Sequence, residues 1–173
     1  MYATNQSARI LKPAQSWFIL LSLLLALLLN MLPTRQWLLM PDWVMLTLAF
    51  WSVRECRKVG LGTAFLLGVL MDMADGAALG QHALAYVLLC YAATSLSRRL
   101  LWFPLTQQAL HIAPLFFVAA GLQILIRMVA GGNFPGWGQF LAPFIATLLW
   151  PTLSFLLLAP QYQPEERDEN RPI

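Results

Sequence analysis

The sequence predicts an all-α fold: a polytopic integral membrane protein with six transmembrane helices. The first observation behind this is composition. Of 173 residues, 59% are hydrophobic and 11% charged, whereas a water-soluble domain carries about 25% charged residues. Mean hydropathy is +0.63. The second is arrangement: apolar residues come in long unbroken blocks rather than alternating stripes, and a span needs roughly 17–25 such residues. The third is the division of Lys and Arg between alternate loops, which orients a chain across a bilayer.

The first block, "SWFILLSLLLALLLNML" at 16–32, follows Arg9 and Lys12 and has the charge pattern of a signal peptide. The residues after it are "PTRQW", with no small-residue cleavage site, so it is expected to stay as a span. The second span, 38–53, carries Pro41 early, where the first-turn N–H groups have no helical partner to lose. The third, 59–75, rises from the basic loop "RECRKVG" and ends at a tight connection, "DGAALG". The fourth and fifth are expected at 79–96 and 106–130. The sixth, 138–159, follows "GGNFPGWGQ", a flexible loop by its glycine and proline content. It contains Trp150 and Pro151, expected to kink the helix and to put an indole N–H in need of an acceptor inside the membrane.

The domain organisation is therefore a cytoplasmic N-terminal segment (1–15), a six-span membrane domain (16–159) and a polar cytoplasmic tail (160–173) with the composition of a disordered segment. No soluble domain and no repeat at a solenoid period is visible. Six spans place Arg9, Lys12, Arg54, Arg57, Lys58, Arg98, Arg99, Arg167 and Arg171 on one side, nine of the 11 Lys and Arg. The other side receives Arg35 and Arg127. The richer side is the cytoplasmic one, so both termini are expected there. Trp17, Trp51 and Trp102 fall near the inner edge, and Trp37, Trp43 and Trp137 near the outer. Trp150 sits mid-span.

The formal charge of +3 is too small and too scattered for nucleic acid. Two cysteines, Cys56 in the basic loop and Cys90 in an apolar block, make no disulfide framework. His82 and His111 fall near opposite faces and share no metal. His82 reads as a polar residue opening span four, His111 as a partly buried one near the inner edge. No G-x-S-x-G, HExxH, P-loop or CxxC occurs. No enzyme, metal or cofactor is expected.

The polar residues that stand out are Asp72 and Asp75. At about 1.5 Å per residue they lie roughly 21 and 26 Å above Lys58, Asp72 in the outer third of a hydrocarbon layer about 30 Å thick. An ionised Asp is costly there, and the C-terminal end of the helix dipole repels it further. Such acids need a cation, a donor or water. Either they end a short helix in headgroup water, or they are paired. Arg127, about 21 residues into span five and hence near the same edge, is the candidate ion-pair partner, since arginine can snorkel.

The same helix carries Gly60, Ala64 and Gly68 at four-residue spacing, continued by Asp72, and Gly76 and Gly80 follow across the turn. Small residues at that spacing allow close helix approach. The row is therefore a candidate helix-docking surface, facing span five or a partner's helix. Further intramembrane polar groups are few: Asn30, Gln123 and Thr147.

Three segments, "MPDWVMLTLAFW", "VGLGTAFLLGVLMDMADGAALGQHALAY" and "LWPTLSFLLL", resemble in order and spacing the rod shape-determining membrane protein family MreD. The middle segment, with Gly68, Asp72, Gly76 and Gly80, is the most specific, and the resemblance covers nearly everything except the termini. It implies a non-enzymatic component of the bacterial cell-elongation machinery in the inner membrane. Partners would be a single-span MreC-like protein, the actin-like MreB, and the glycosyltransferase and transpeptidase of side-wall peptidoglycan synthesis, besides membrane lipid. The docking row would then seat the MreC-like helix. Arg54, Arg57, Arg98 and Arg99 would form a cytoplasmic partner surface. The family is also similar to the six-helix substrate-binding subunits of energy-coupling-factor transporters, an analogy of fold alone. The alternative it leaves open is a small-solute-binding subunit of a vitamin transporter.

Overall fold

Hydrocarbon-length apolar blocks fold into helices because every backbone polar group must then be satisfied within its own segment. The computed structural model describes residues 14–32 and 40–161. Within them lie α1 (Ser16–Met31), α2 (Trp43–Arg54), α3 (Leu61–Asp75), α4 (Gln81–Leu100), α5 (Leu105–Val129) and α6 (Leu141–Leu158). Short 3₁₀ turns flank α6 at Trp137–Phe140 and Ala159–Gln161. Arg9, Lys12, Arg35, Trp37, Arg167, Arg171 and most of the tail lie outside the described residues.

Six helices fall where six spans are expected, with one marked difference. The second begins five residues late, at Trp43, because Asp42 caps it: the carboxylate accepts the Met45 N–H at 2.9 Å. Pro41 therefore precedes the helix rather than sitting in its first turn. Twelve residues make only about 18 Å of helix, well short of a hydrocarbon layer. Every residue from Val44 to Val53 is buried. A helix apolar all round belongs inside a bundle, and α2 occupies that place, touching α1, α4 and α6. Around it α3, α4, α5 and α6 follow one another as packed neighbours, and α1 meets α2 and the edge of α3.

The core is aromatic where α2 and α5 each meet α6. Phe50 and Phe116 each pack at about 6 Å from the Trp150 ring. Trp51, expected near the inner membrane edge, is fully buried in the bundle, and its indole N–H donates to Ser22 Oγ at 2.8 Å. Trp150 is buried as well, and among the described residues its indole nitrogen has no hydrogen-bond partner. Pro151 lies inside α6 and withholds the N–H that the Thr147 carbonyl would otherwise accept. His111 is exposed rather than partly buried, stacked on Phe103 at 4.5 Å.

Outward, the bundle is greasy. Leu20, Leu24 and Leu28 on α1, Phe65, Leu66 and Met73 on α3, Leu110 and Leu125 on α5, and Leu148 and Phe155 on α6 are all exposed. Such a surface suits lipid rather than water. Two segments among the described residues, Leu105–Val129 and Trp137–Gln161, are long and apolar enough to cross a membrane by themselves.

Candidate functional site

Alternating helices bring the ends of α1, α3 and α5 to one side of the bundle with the beginnings of α2, α4 and α6. The polar residues of the apolar blocks gather at that end. Asp72, in the last turn of α3, is only 1% exposed. Its solution to burial is neither solvent nor an arginine. Its oxygens accept the Gly80 N–H at 2.8 Å and the His82 N–H at 2.7 Å, with the Ala83 N–H at 3.5 Å. The first turn of an α-helix has N–H groups without intrahelical acceptors, and Gly80, the N-cap of α4, has no side chain to supply one. Asp72 caps α4 from the neighbouring helix. The positive end of the α4 dipole meets the carboxylate, offsetting the repulsion at the end of α3.

The chain reverses between these helices through two glycines in left-handed conformations, Gly76 (φ +60) and Gly80 (φ +98). Gly76 lets the Ala77 N–H fold back on the Asp72 carbonyl at 3.0 Å. Asp72 thus ends α3 with its backbone and starts α4 with its side chain.

His82, also buried, completes the joint. Its Nδ1 lies 2.9 Å from Asp72 Oδ1 and its Nε2 3.6 Å from Asp75 Oδ2, so one imidazole spans both acids. Its ring stands edge-on to Tyr86 at 5.9 Å. The Tyr86 hydroxyl donates to Asp42 Oδ2 at 2.6 Å, and Asn30 Nδ2 donates to Asp42 Oδ1 at 2.8 Å. Asn30 Oδ1 accepts the Trp43 N–H at 2.9 Å. One hydrogen-bonded layer therefore ties together α1, α2, α3 and α4.

The close approach expected of the glycine row is real, but its partner is corrected. A Cβ on Gly68 would lie 2.3 Å from Ala83 Cα and 2.5 Å from Ala83 N, so Gly68 is pressed against the backbone of α4. Gly68 and Asp72 face α4, not α5 or an outside helix. Ala64 is buried in the core. Gly60 is the extended residue before α3, and nothing lies within 4 Å of where its Cβ would be. Gly76 and Gly80 serve the turn, not a docking face.

The pairing of Arg127 is corrected too. Among the described residues no ion pair joins it to Asp72, whose ionisable partner is His82. Asp72 points its oxygens into the start of α4, while Arg127 is exposed in the last turn of α5, where its carbonyl accepts the Gly132 N–H at 2.9 Å. Arg127 and Asp75 instead line one cavity of about 630 Å³ at this end of the bundle. At the opposite end, Arg54 closes α2 and lies 5.8 Å from the Phe50 ring centre, and Arg98 and Arg99 close α4. Arg57, Arg98 and Arg99 are exposed. Lys58 pairs with Glu55 at 3.7 Å and donates to the Ala14 carbonyl.

Sequence reasoning missed Asp42, Tyr86 and the true office of His82. A Pro-Asp pair just before an apolar run is an N-cap signal, and it was there to be read in "MPDWVML". Nothing in the sequence marks Tyr86 as its partner.

By fold and site this is a membrane-type helical bundle, apolar outside, with its charged groups used to fasten helix ends. Within that class, the chain belongs to the MreD family. The family model for the rod shape-determining protein MreD matches residues 12–159. The rod shape-determining protein MreD of Haemophilus influenzae is 32% identical over 152 residues, covering 82% of this chain and 89% of that relative. No solved structure matches, so the likeness to transporter subunits has the family resemblance alone behind it. Membership supports a role in rod-shape determination and not the solute-transport alternative.

Proposed function

We propose that the protein is a non-enzymatic scaffold of the cell-elongation complex, spanning the bacterial inner membrane several times with both termini cytoplasmic. In this reading it holds the single span of an MreC-like partner, and through it or directly the actin-like MreB, the glycosyltransferase and the transpeptidase of side-wall synthesis. The observation that carries the reading is the use of charge. Asp72, His82, Asp42 and Tyr86 are consumed in joining helices, which makes a stiff body whose walls are apolar. A stiff body with apolar walls is suited to positioning other membrane helices, where packing contacts drive association.

Since the small face of α3 is taken up by α4, the partner helix is assigned to the opposite, bulky face of α3. There Phe65, Leu66 and Leu70 are exposed, and among the described residues α3's other main neighbour is α1, along its edge. Arg57, Arg98 and Arg99, with Arg54 beside them, would face cytoplasmic partners and anionic lipid.

Cysteine cross-linking in cells tests this. Single cysteines at Phe65, Leu66 and Leu70, in a chain freed of Cys56 and Cys90, should cross-link to cysteines in the partner's span. Cysteines at Leu148 and Phe155 on α6 should not. Cross-links from α6 alone would move the docking face. Purified protein that brings down no wall-synthesis partner would end the scaffold reading.

A further inference from the structure

Charge in this chain is sorted by position. Of its 8 Asp and Glu, Asp42 caps the start of α2 and Asp72 and Asp75 lie in the last turn of α3, all at the joined end of the bundle. Glu55 lies at the opposite end, where it pairs with Lys58 at 3.7 Å and accepts the Ala14 N–H at 3.2 Å. The remaining acids, Glu165, Glu166, Asp168 and Glu169, fall within one short run that holds a single arginine, Arg167. The basic side chains are sorted the other way. Where α2 and α4 close, Arg57, Arg98 and Arg99 are exposed, and Glu55 is the one acid of that end among the described residues.

The acidic run is rooted at this same end. Consecutive helices α4, α5 and α6 alternate in direction, so α6 ends where α4 ends. Its last turn is fixed there: Leu157 and Leu158 are buried, and Gln161 Nε2 donates to the Leu157 carbonyl at 3.2 Å. From Gln161, the acids begin after Pro164 and end at Glu169, an extended reach of up to about 13–29 Å. Packed helices lie only about 8–10 Å apart, so the run can reach the end of any helix in the bundle.

We propose that residues Glu165–Glu169 dock on the face formed by Arg57, Arg98 and Arg99, so that the chain's own acidic segment covers its basic end. Guanidinium groups donate to carboxylates in charge-assisted, often bidentate, hydrogen bonds. Single exposed pairs are weak. A tether of a few residues, however, holds the acids at an effective concentration on the order of millimolar, and several pairs act together. Such a contact forms and opens with little barrier, and an anionic lipid headgroup that reaches the same arginines has to displace it. The inference does not rest on the scaffold reading, because it concerns contacts within one chain and its test involves no partner.

The test uses the full chain, with Cys56→Ser and Cys90→Ala, in a neutral maltoside detergent that offers no competing anion. Spin labels are placed at Trp102→Cys, a position 90% exposed beside the arginines, and at Asn170→Cys. Double electron–electron resonance then reads the distance between them. A narrow, short-distance population is expected at about 0.1 M salt, and it should spread to longer distances at about 1 M, as the Debye length shrinks from about 10 Å to about 3 Å. Changing the four acids of the run to lysine should abolish that population. Adding Arg57→Glu, Arg98→Glu and Arg99→Glu to the lysine variant should restore it, since opposite charges then face each other again. A broad distribution in the wild-type sequence at low salt would overturn the proposal. So would a short distance that survives charge reversal of the run, which would assign the approach to something other than these charges. A doubly reversed variant with unchanged helical circular dichroism and no restored population would also overturn it, by removing these three arginines as the docking site.

Discussion

Asp72 is a buried acid at the wrong end of its own helix dipole, and its environment shows how that is tolerated. The donors it needs are the N–H groups that open α4, which need an acceptor as much as it needs them. Asp72→Ala would leave the Gly80 and His82 N–H groups unpaired, at about 1–3 kcal/mol for each. Thermal unfolding of the detergent-purified protein should register a large loss. Asp72→Asn keeps one acceptor oxygen and should lose roughly half as much; an asparagine variant as unstable as the alanine one would contradict this account. Tyr86→Phe removes the hydrogen bond to the Asp42 carboxylate and should cost about 1.5–3 kcal/mol by the same measurement. That the acid must find a donor was legible from its depth in an apolar block. That the donor is backbone, rather than Arg127, was not, because one side chain's reach says nothing about which helix end lies nearer.

At the scale of elements, the α3–α4 hairpin is the unit that gives the glycine row its meaning. Residues 76–80 connect the helices, and a short connection makes the next helix the least costly neighbour to recruit. Small residues announced a close approach, and the approach exists at Gly68. The choice of α4 over α5 or an outside helix follows from the turn, through Gly76 and Gly80, rather than from the row. Gly68→Ala should therefore push against the Ala83 backbone and destabilise the hairpin by about 1–3 kcal/mol, seen as lower folded yield on size exclusion. Gly62→Ala, where nothing lies within 4 Å, is the matched control, and should be neutral or gain about 0.5–1 kcal/mol from helix propensity. Equal behaviour of the two would remove the close approach as a stabilising feature. The second helix carries a related lesson. Its apolar run reads as a span, but its Asp42 cap and its burial on all sides make it a short central strut.

For the molecule as a whole, the exposed leucines and phenylalanines of α1, α3, α5 and α6 predict behaviour on extraction. Alkaline carbonate should leave the protein in the membrane pellet and mild detergent should release it; release by carbonate alone would contradict a bundle solvated by lipid. Composition and block length by themselves determined that the chain is helical, roughly where its six helices fall, and that its outside is apolar, because the solvent dictates those things residue by residue. The residues of the apolar blocks also carried the family resemblance. Tertiary structure alone decided that α2 is the interior helix, that α4 covers the small face of α3, and that Asp42, Asp72, His82 and Tyr86 meet in one layer beside a shared cavity. Those outcomes depend on which helix ends come together in space, and a one-dimensional pattern gives each helix a face without naming the neighbour that will cover it.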